Sequence, residues 1–553
     1  MEQLYYNGKI FTAQHEDSFV NAFRVVDGKF SWVGNLQNPP EEEGAINLEG
    51  RTVIPGLIDA HTHPSYVAGT IDAVPCTIPK VHSISEMIEA LKRHPNAGKG
   101  PDEWIQGWGY DESKLEEHRT PTRHDLDLVS TTQPVYVLRS DCHSGICNTR
   151  ALELAGITKD TPDPEGGRFG RDPDGTPNGV LTELAANAAV RSVMEKPNFE
   201  NAVRALANTN AHYCERGYVA ATDMMVFFNP LNQLEVFRAA EKAGLDMQIS
   251  LYFLWTGGKD PYGMRDCTPE ERTGRVKWAG IKLFADGSIS GKTAWVSTPY
   301  AGSDDCGMCT LDIETLQAAY EYAKRNRLQI SIHVMGDRSI QRIIDFFDDK
   351  EPWLDGQVAN VRLEHVTLLN KKQLDQMNAS KMNYGLTTQI IFGFAEYDGY
   401  EKALTPEVFK QIYPLKLFSE NMRALALSAD APATTWADPD DVFVSLKAAI
   451  TRRAYNGASI NPDESIPVNE ALMLYTKRAA LLCPYETPVG QIARGFEADF
   501  NVLSGDLFTV APNEIDRVRI DAAYRRGERV FEREAASEAK EGCCCECERE
   551  AAH

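Results

Sequence analysis

Eight short apolar segments, separated by stretches with helical periodicity, constrain the fold of this chain more than any other feature of its sequence. Short apolar runs that alternate with amphipathic helices are typical of a parallel β-sheet covered by helices. The segments are Leu57–Ala60, Tyr218–Met224, Met247–Leu254, Ala279–Phe284, Gln329–Ile332, Val361–Leu363, Met382–Thr388 and Ala424–Ser428. Eight such units predict an α/β protein with a (β/α)8 TIM barrel.

Both ends of the chain have the pattern of short strands. Phe23–Val26 and Phe30–Val33 flank the turn sequence Asp27-Gly28-Lys29, which is typical of a β-hairpin. Short apolar runs recur at Asp499–Leu503 and Arg517–Arg525. We therefore expect residues 1–54 and 488–531 to form one small β-sandwich domain, and residues 55–487 to form the barrel.

The interval between the first two predicted barrel strands, Pro64–Arg216, is too long for a single crossover helix. It contains a helical pattern at Ile84–Arg93 and a strand-like run at Val135–Arg139. We expect an inserted substructure at about residues 64–216, above the mouth of the barrel.

The charge balance excludes several classes of partner. The 553 residues include 57 Lys and Arg against 80 Asp and Glu, a formal net charge of −23. A chain with this charge binds nucleic acid or anionic lipid poorly, because binding to either one requires a basic protein surface. The segment Met1–Gly8 has neither the basic nor the apolar region of a secretory signal. We expect a cytoplasmic protein with a small-molecule substrate and no nucleic-acid or membrane partner, and a homodimer is one option for its assembly.

Four of the 12 cysteines crowd the end of the chain, at Cys543, Cys544, Cys545 and Cys547. Three adjacent cysteines cannot all face one ion without strain, and there is no second pair at zinc-finger spacing. We predict that residues 532–553 form a disordered tail, with soft-metal binding as the alternative.

His61 and His63 close the first predicted strand. Residues i and i+2 of a strand face the same way, so both imidazoles can reach one metal ion. Neutral imidazole is a common ligand of zinc. The alternative interpretation is two surface histidines at the start of a loop.

Further metal-competent residues follow other predicted strands. His333, His365 and Asp430 come directly after or close to the ends of the fifth, sixth and eighth strands. In a barrel these ends converge at the carboxyl-terminal face, where active sites are built. A single histidine beside an apolar strand is more often a hydrogen-bonded core residue, but the constellation favours a common site.

Lys282 lies inside the fourth predicted strand, Ala279–Phe284. An ammonium group is costly in an apolar environment and can lose its proton there. The free amine could react with carbon dioxide to give a carbamate that bridges two metals. The alternative is a salt bridge to Asp286 or Glu364.

The segment Pro55–His63 resembles the opening signature of the amidohydrolase superfamily. Other motifs resemble its family 3, the YtcJ-like proteins that include N-substituted formamide deformylase, and the resemblance extends to about Phe531. These motifs are Ile281–Ser288, His333–Arg338, Arg362–His365, Ser428–Pro432, Trp108–Glu112, Asp141–Ser144, Asn148–Leu152 and Gly175–Leu181.

The resemblance implies a barrel with a small β domain and one or two divalent metal ions, usually zinc, with iron or manganese as alternatives. His61, His63 and Asp430 would hold one ion. His333 and His365 would hold a second, with carboxylated Lys282 as the bridge. The family often has Gly-Ser-Asp at the last strand, where this chain has Ser428-Ala429-Asp430.

The implied activity is hydrolysis of a non-peptide C–N bond in a small amide, N-substituted formamide or cyclic amide. Asp430 would take the proton of a metal-activated water and pass it to the leaving nitrogen. A deaminase on the same scaffold is the first alternative. A regulatory or binding protein that kept the fold without catalysis is the second.

Three residues of the inserted region are candidates for substrate binding. His143 could bind the substrate oxygen, or it could be a structural histidine bonded to Asp141. Trp108 and Tyr110 could form a wall of the pocket, or they could pack in the core of the inserted region.

Overall fold

The computed structural model describes residues 2–140, 144–164, 166–194, 198–257, 262–356 and 358–534. At its centre is one parallel sheet of eight strands, each of which overlaps a predicted apolar segment. The strands are β1 (Leu57–Thr62), β2 (Tyr218–Val226), β3 (Gln248–Leu254), β4 (Val276–Phe284), β5 (Gln329–Val334), β6 (Val361–His365), β7 (Tyr384–Thr388) and β8 (Leu425–Leu427). Nearly all of their residues are buried, and most of the strands are rich in apolar side chains, because a parallel sheet between helices is covered on both faces.

The sheet curls into a nearly closed barrel. Neighbouring strands pair in parallel from β1 to β8. Just beyond β1 and β8, the Asp430 amide donates to the His61 carbonyl at 2.8 Å, and the His63 amide donates to the Ala431 carbonyl at 3.0 Å. These two bonds join the first and last strands at their carboxyl ends, which confirms the predicted barrel.

Helices connect most of the barrel strands, and their periodic apolar faces pack on the sheet. The Asp312 side chain caps one of them by accepting from the Thr315 amide at 2.6 Å. The helices of the barrel region are Pro64–Thr70, Phe199–Glu215, Gln233–Lys242, Ile313–Asn326, Asp337–Phe347, Lys371–Ala379, Ile390–Ala395, Tyr397–Ala403, Pro406–Phe409, Leu415–Asn421, Val442–Thr451 and Val468–Met473. In the described ranges, no helix is long and apolar enough to cross a membrane.

Strands from both chain ends share one sheet. Its six strands are, in order, Glu528–Glu532, Ile520–Arg525, Phe500–Leu503, Thr52–Pro55, Lys9–Phe11 and Phe19–Val20. A second sheet has the order Lys29–Gly34, Ala22–Val26, Glu2–Tyr6 and Ile46–Asn47. Tyr5, Phe23 and Phe500 pack together, with ring centroids about 5 Å apart. The two ends therefore pair, while the division of the chain into domains stays a prediction.

Apart from the barrel, there is a further mixed sheet, called the third sheet below, in the long interval between β1 and β2. Its strands are, in order, Arg168–Arg171, Pro177–Thr182, Gly145–Cys147, Val135–Arg139, Ile105–Tyr110 and Val74–Pro75. Besides Pro64–Thr70 and Phe199–Glu215, this interval contains the helices Ile84–Lys92, Arg123–Leu126, Thr149–Leu154 and Glu183–Arg191. Lys114 ties the interval to the barrel, because its ammonium lies 2.6 Å from the Asp398 carboxylate in the connection between β7 and β8.

Candidate metal centre

His61, His63 and Asp430 come together at the carboxyl-terminal face of the barrel. One potential ligand atom from each lies within 4.8 Å of the other two. The Nε2 atoms of His63 and His61 stand 2.9 Å and 3.4 Å from Asp430 Oδ1. The backbone bonds that close the barrel hold these residues in place, so the geometry of the site depends directly on the closure of the sheet.

His333 and His365 continue this group. The His365 ring lies 4.8 Å from the His61 ring and 4.3 Å from the His333 ring, measured between centroids. His365 is almost fully buried, and His333 is half-buried. Strands β1, β5, β6 and the end of β8 thus bring all four predicted histidines and Asp430 to one face of the barrel.

An oxygen acceptor faces one ring nitrogen of each of three histidines. Glu364 Oε2 lies 2.7 Å from His61 Nδ1, Gln389 Oε1 lies 2.8 Å from His365 Nδ1, and the Gly287 carbonyl lies 3.1 Å from His333 Nε2. If each of these nitrogens donates, the opposite nitrogen keeps its lone pair for a metal. Ligating histidines in metal sites are usually oriented in this way.

Glu364, at the end of β6, is the centre of this supporting network. Arg362 Nε and Ser331 Oγ donate to Glu364 Oε1 at 2.9 Å and 2.8 Å, and the Thr387 hydroxyl donates to Oε2. Burial acts to raise the pKa of Glu364, but Arg362 and His61 hold it well below its usual range. The carboxyl is therefore ionised and accepts hydrogen bonds from four side chains, since Arg362 also donates to Oε2 at 3.4 Å and His61 Nδ1 faces the same oxygen.

The sequence had suggested Glu364 only as a salt-bridge partner of Lys282, and it gave no role to Asp223 in β2. Asp223 is fully buried, lies 3.8 Å from His63 Nδ1, and accepts a hydrogen bond of 2.8 Å from the Ser65 amide. Burial acts against the charged form of His63, but Asp223 and Asp430 raise its pKa to about 9. The sequence does contain a signal for Asp223, namely an acidic residue inside an apolar strand. An acid is rarely buried without a partner, so this position indicates a polar site nearby.

Lys282 points into the same space from β4. Its side chain is buried, and among the described residues its Nζ atom has no hydrogen-bond partner and no ion pair with Asp286 or Glu364. Burial lowers the pKa of Lys282 to about 8, although Glu364 and Asp430 act in the opposite direction. Asp286 instead accepts from the Met335 and Gly336 amides at 3.0 Å and 2.8 Å. The salt-bridge alternative is therefore wrong for both acids.

Two of the predicted ligands have a left-handed backbone. His365 has a φ of 72° and Asp430 a φ of 53°. Side chains other than glycine rarely adopt this region, and such residues cluster at functional sites. The turns place both side chains at the strand ends, facing the other ligands.

The three predicted substrate-binding residues have different surroundings. His143 lies outside the described residues. Tyr110 is buried in the apolar core of the third sheet, together with Leu91 and Val137. Trp108 is 9% exposed and lines a cavity of about 160 Å³, which Ala431 also lines, one residue beyond Asp430. Substrate contact stays a prediction for all three.

The residues fit a divalent cation. His63 Nδ1 and Lys282 Nζ are buried and have no hydrogen-bond partner among the described residues. Such groups are costly unless a ligand compensates them. Imidazole nitrogens with a carboxylate oxygen are a donor set typical of zinc, and also suit iron.

Comparisons with known proteins agree with this geometry. A sequence model of the amidohydrolase family matches residues 44–531. The chain is 26% identical to the protein YtcJ of Bacillus subtilis (strain 168), over 96% of this chain and all of the relative. It is 27% identical to N-substituted formamide deformylase of Arthrobacter pascens, over 95% and 98% of the two chains. The crystal structure of an uncharacterized metal-dependent hydrolase from Pyrococcus horikoshii OT3 has the same fold, with a TM-score of 0.69, 23% identity, and 93% and 99% of the chains covered.

Proposed function

The chain belongs to the amidohydrolase family, and we propose that it is a metal-dependent hydrolase that cleaves a non-peptide C–N bond of a small molecule. The observation that carries the proposal is the convergence of His61, His63 and Asp430, with one potential ligand atom of each within 4.8 Å of the others. The His333 and His365 rings adjoin this trio and extend the donor set.

His61, His63 and Asp430 would hold one divalent ion, and His333 and His365 would hold a second. Zinc is the first choice, with iron or manganese as alternatives. When bound, the metal polarises the substrate carbonyl and acidifies water. The chemistry of the donor set and the unpartnered buried atoms support this assignment.

Lys282 would bridge the two ions after carboxylation. The neutral Nζ amine would attack carbon dioxide, form an N–C bond and release a proton, which gives an anionic carbamate. The support is that burial lowers the pKa of Lys282 to about 8, so the neutral amine is accessible near neutral pH. The absence of a hydrogen-bond partner for Nζ among the described residues points the same way.

Asp430 would move the proton. The histidines His61 and His63 hold the pKa of Asp430 well below its usual range, against the effect of burial, so the carboxylate is ionised at neutral pH. An ionised carboxylate can accept the proton of the attacking water and return it to the departing nitrogen. Its place between two imidazoles fixes the acceptor oxygen.

N-substituted formamides are the first substrates to test, followed by lactams and hydantoin-like rings. The similarity to N-substituted formamide deformylase supports this order. One residue of the site fits an apolar substituent. Phe284 is 39% exposed at the end of β4, with its ring 5.3 Å from the His333 ring.

The test is to measure metal content and turnover on the same purified protein. We expect one or two equivalents of divalent metal and release of a carboxylate, which is formate for formamide substrates. The variant His61→Ala serves as the control. Release of ammonia from an aminated ring would instead identify a deaminase, and metal-free, inactive protein would favour a binding role.

We also propose that the sheets of the two chain ends form a small β-sandwich domain, residues 1–54 with 488–531, and that residues 64–216 are an insertion in the barrel. The pairing of Val53 with Val502 across the chain ends supports the first. The separate sheet between β1 and β2 supports the second. A cytoplasmic location stays a prediction.

A further inference from the structure

Glu396 lies above the candidate metal centre, one turn beyond an aromatic residue that contacts it. The helix Ile390–Ala395 follows β7, and its Phe392 ring stacks on the His365 ring with centroids 5.9 Å apart. Residues i and i+4 of a helix share a face. The Glu396 amide donates to the Phe392 carbonyl at 2.8 Å, so the helical turn extends to Glu396.

Two other loops of the same barrel face meet Glu396. Ser290, in the loop after β4, donates to Glu396 Oε2 at 2.9 Å. Thr434, in the loop after β8, donates to Oε1 at 3.3 Å. These loops follow Lys282 and Asp430, so the carboxyl group stands where the connections of three site-forming strands converge.

The charge of Glu396 is only weakly compensated by the part of the protein that the structure describes. Among the described residues no Lys, Arg or His forms an ion pair with it, and its two hydrogen-bond donors are neutral hydroxyls. The charge of Lys114 acts to lower the pKa of Glu396, but its ammonium pairs with Asp398 at 2.6 Å. Asp111 adds negative potential, and burial together with Asp111 raises the pKa of Glu396 to about 7. Such a carboxylate can gain a strong charge-assisted hydrogen bond from a cationic ligand.

The position of Glu396 suits the far end of a substrate. Asp430 and Glu396 both act on the phenol of Tyr413, whose pKa is raised first by burial and further by these two carboxylates. Both acids are therefore in electrostatic range of one side chain, while the helical turn from Phe392 to Glu396 rises about 6 Å. A small molecule whose amide is held by the metal ligands could extend this far. The net charge of −23 also favours the approach of cations.

We propose that Glu396 binds a protonated amine at the end of the substrate remote from the scissile bond. The preferred substrates are then small amides or formamides that carry an ammonium group. This inference rests on the proposed hydrolase function and adds a substrate class to it. Glu396 acts in specificity and takes no part in the proton transfer assigned to Asp430.

The test compares two formamides of equal length on the metal-loaded protein: N-formyl-1,4-diaminobutane, which ends in an ammonium, and N-pentylformamide, which ends in a methyl group. The ratio of their kcat/KM values is measured for the wild type, for Glu396→Gln and for Glu407→Gln. Glu407 is an exposed acid in the same β7–β8 connection and is the matched control. Glutamine keeps the size of the side chain and can still accept from Ser290 or Thr434.

We expect the wild type and the control to prefer the ammonium substrate, and Glu396→Gln to lose about tenfold or more of that preference. Its kcat/KM for N-pentylformamide should stay within about twofold of the wild type, which a merely structural defect would not allow. If Glu396→Gln does not fold, Glu396→Asp takes its place: the shorter side chain keeps the charge but draws the carboxylate back, so the ratio of the two kcat/KM values should fall in this variant and stay unchanged in the Glu407→Gln control. Hydrolysis of both compounds without preference, or an unchanged ratio in the variant, overturns the inference and leaves the hydrolase proposal standing. Metal-loaded wild type that hydrolyses neither compound overturns both.

Discussion

Glu364→Gln tests the hydrogen-bond network behind the candidate metal ligands. The substitution keeps the shape of the side chain and removes a charge that accepts from Arg362, Ser331, Thr387 and His61. Two separate effects follow. The Arg362 guanidinium is fully buried and loses its anionic partner, and the His61 ring loses the carboxylate that orients it.

The magnitudes of the two effects can be worked out separately. Breaking a buried ion pair by removing one partner costs about 3–5 kcal/mol of folding free energy. The loss is moderated because Arg362 also donates to the Ala60 carbonyl and the Tyr252 hydroxyl, so we expect the lower end of that range. Removing an acceptor behind a ligating histidine typically lowers metal affinity 10- to 100-fold, or about 1.4–2.8 kcal/mol.

The assay combines urea unfolding of the metal-free protein with competition for zinc against a chelator. The double variant Arg362→Met/Glu364→Gln separates the effects, since it removes the unpaired cation. It should recover part of the stability and keep the low zinc affinity. A Glu364→Gln protein that binds zinc within about threefold of the wild type would refute the role given to Glu364.

Three further predictions concern single side chains. His61→Ala should lose bound metal and turnover while its circular dichroism stays unchanged; retention of both metal and rate would contradict the ligand assignment. Asp430→Asn should keep metal but lose about 10²-fold or more in kcat, in line with general acid–base catalysis, and a fully active variant would place proton transfer elsewhere. Asp499 is buried, which raises its pKa to about 6, with a smaller contribution from Glu497. Folding therefore favours the protonated form of the Asp499 carboxyl group. The stability that this group contributes is complete below its unfolded pKa of about 4, and it is lost as the pH rises through 6. Asp499→Asn should therefore be more stable than the wild type at pH 7.5, by up to about 3 kcal/mol, and should lose this advantage at pH 4; equal differences at both pH values in urea unfolding would exclude this explanation.

The barrel could be predicted because the burial of a strand on both faces is visible in the local sequence as a short apolar segment. Most of the strands contain a short run of apolar residues, and the alternation with helices specifies parallel pairing. The convergence of the candidate ligands could be predicted for a related reason. His61, His333, His365 and Asp430 are polar residues at or just beyond the strand ends, where the fold gives them a common face.

The supporting contacts could not be predicted in the same way. Glu364 meets Ser331 and His61 through the register and curvature of the barrel, over sequence separations of 33 and 303 residues. Gln389 and Asp223 depend on the same non-local geometry. The role of Tyr110 was equally undecidable, because one aromatic residue in a strand can line a pocket or fill a core, and the structure places it in the core of the third sheet.

The left-handed backbone of Asp430 has an evolutionary consequence. A non-glycine residue held in this conformation costs on the order of 1 kcal/mol or more, which the rest of the fold must offset. Glycine accepts the same φ without this cost. A lineage that no longer needed the reaction would therefore gain stability by replacing this aspartate, and its persistence in a descendant would be a sign of continuing selection for catalysis.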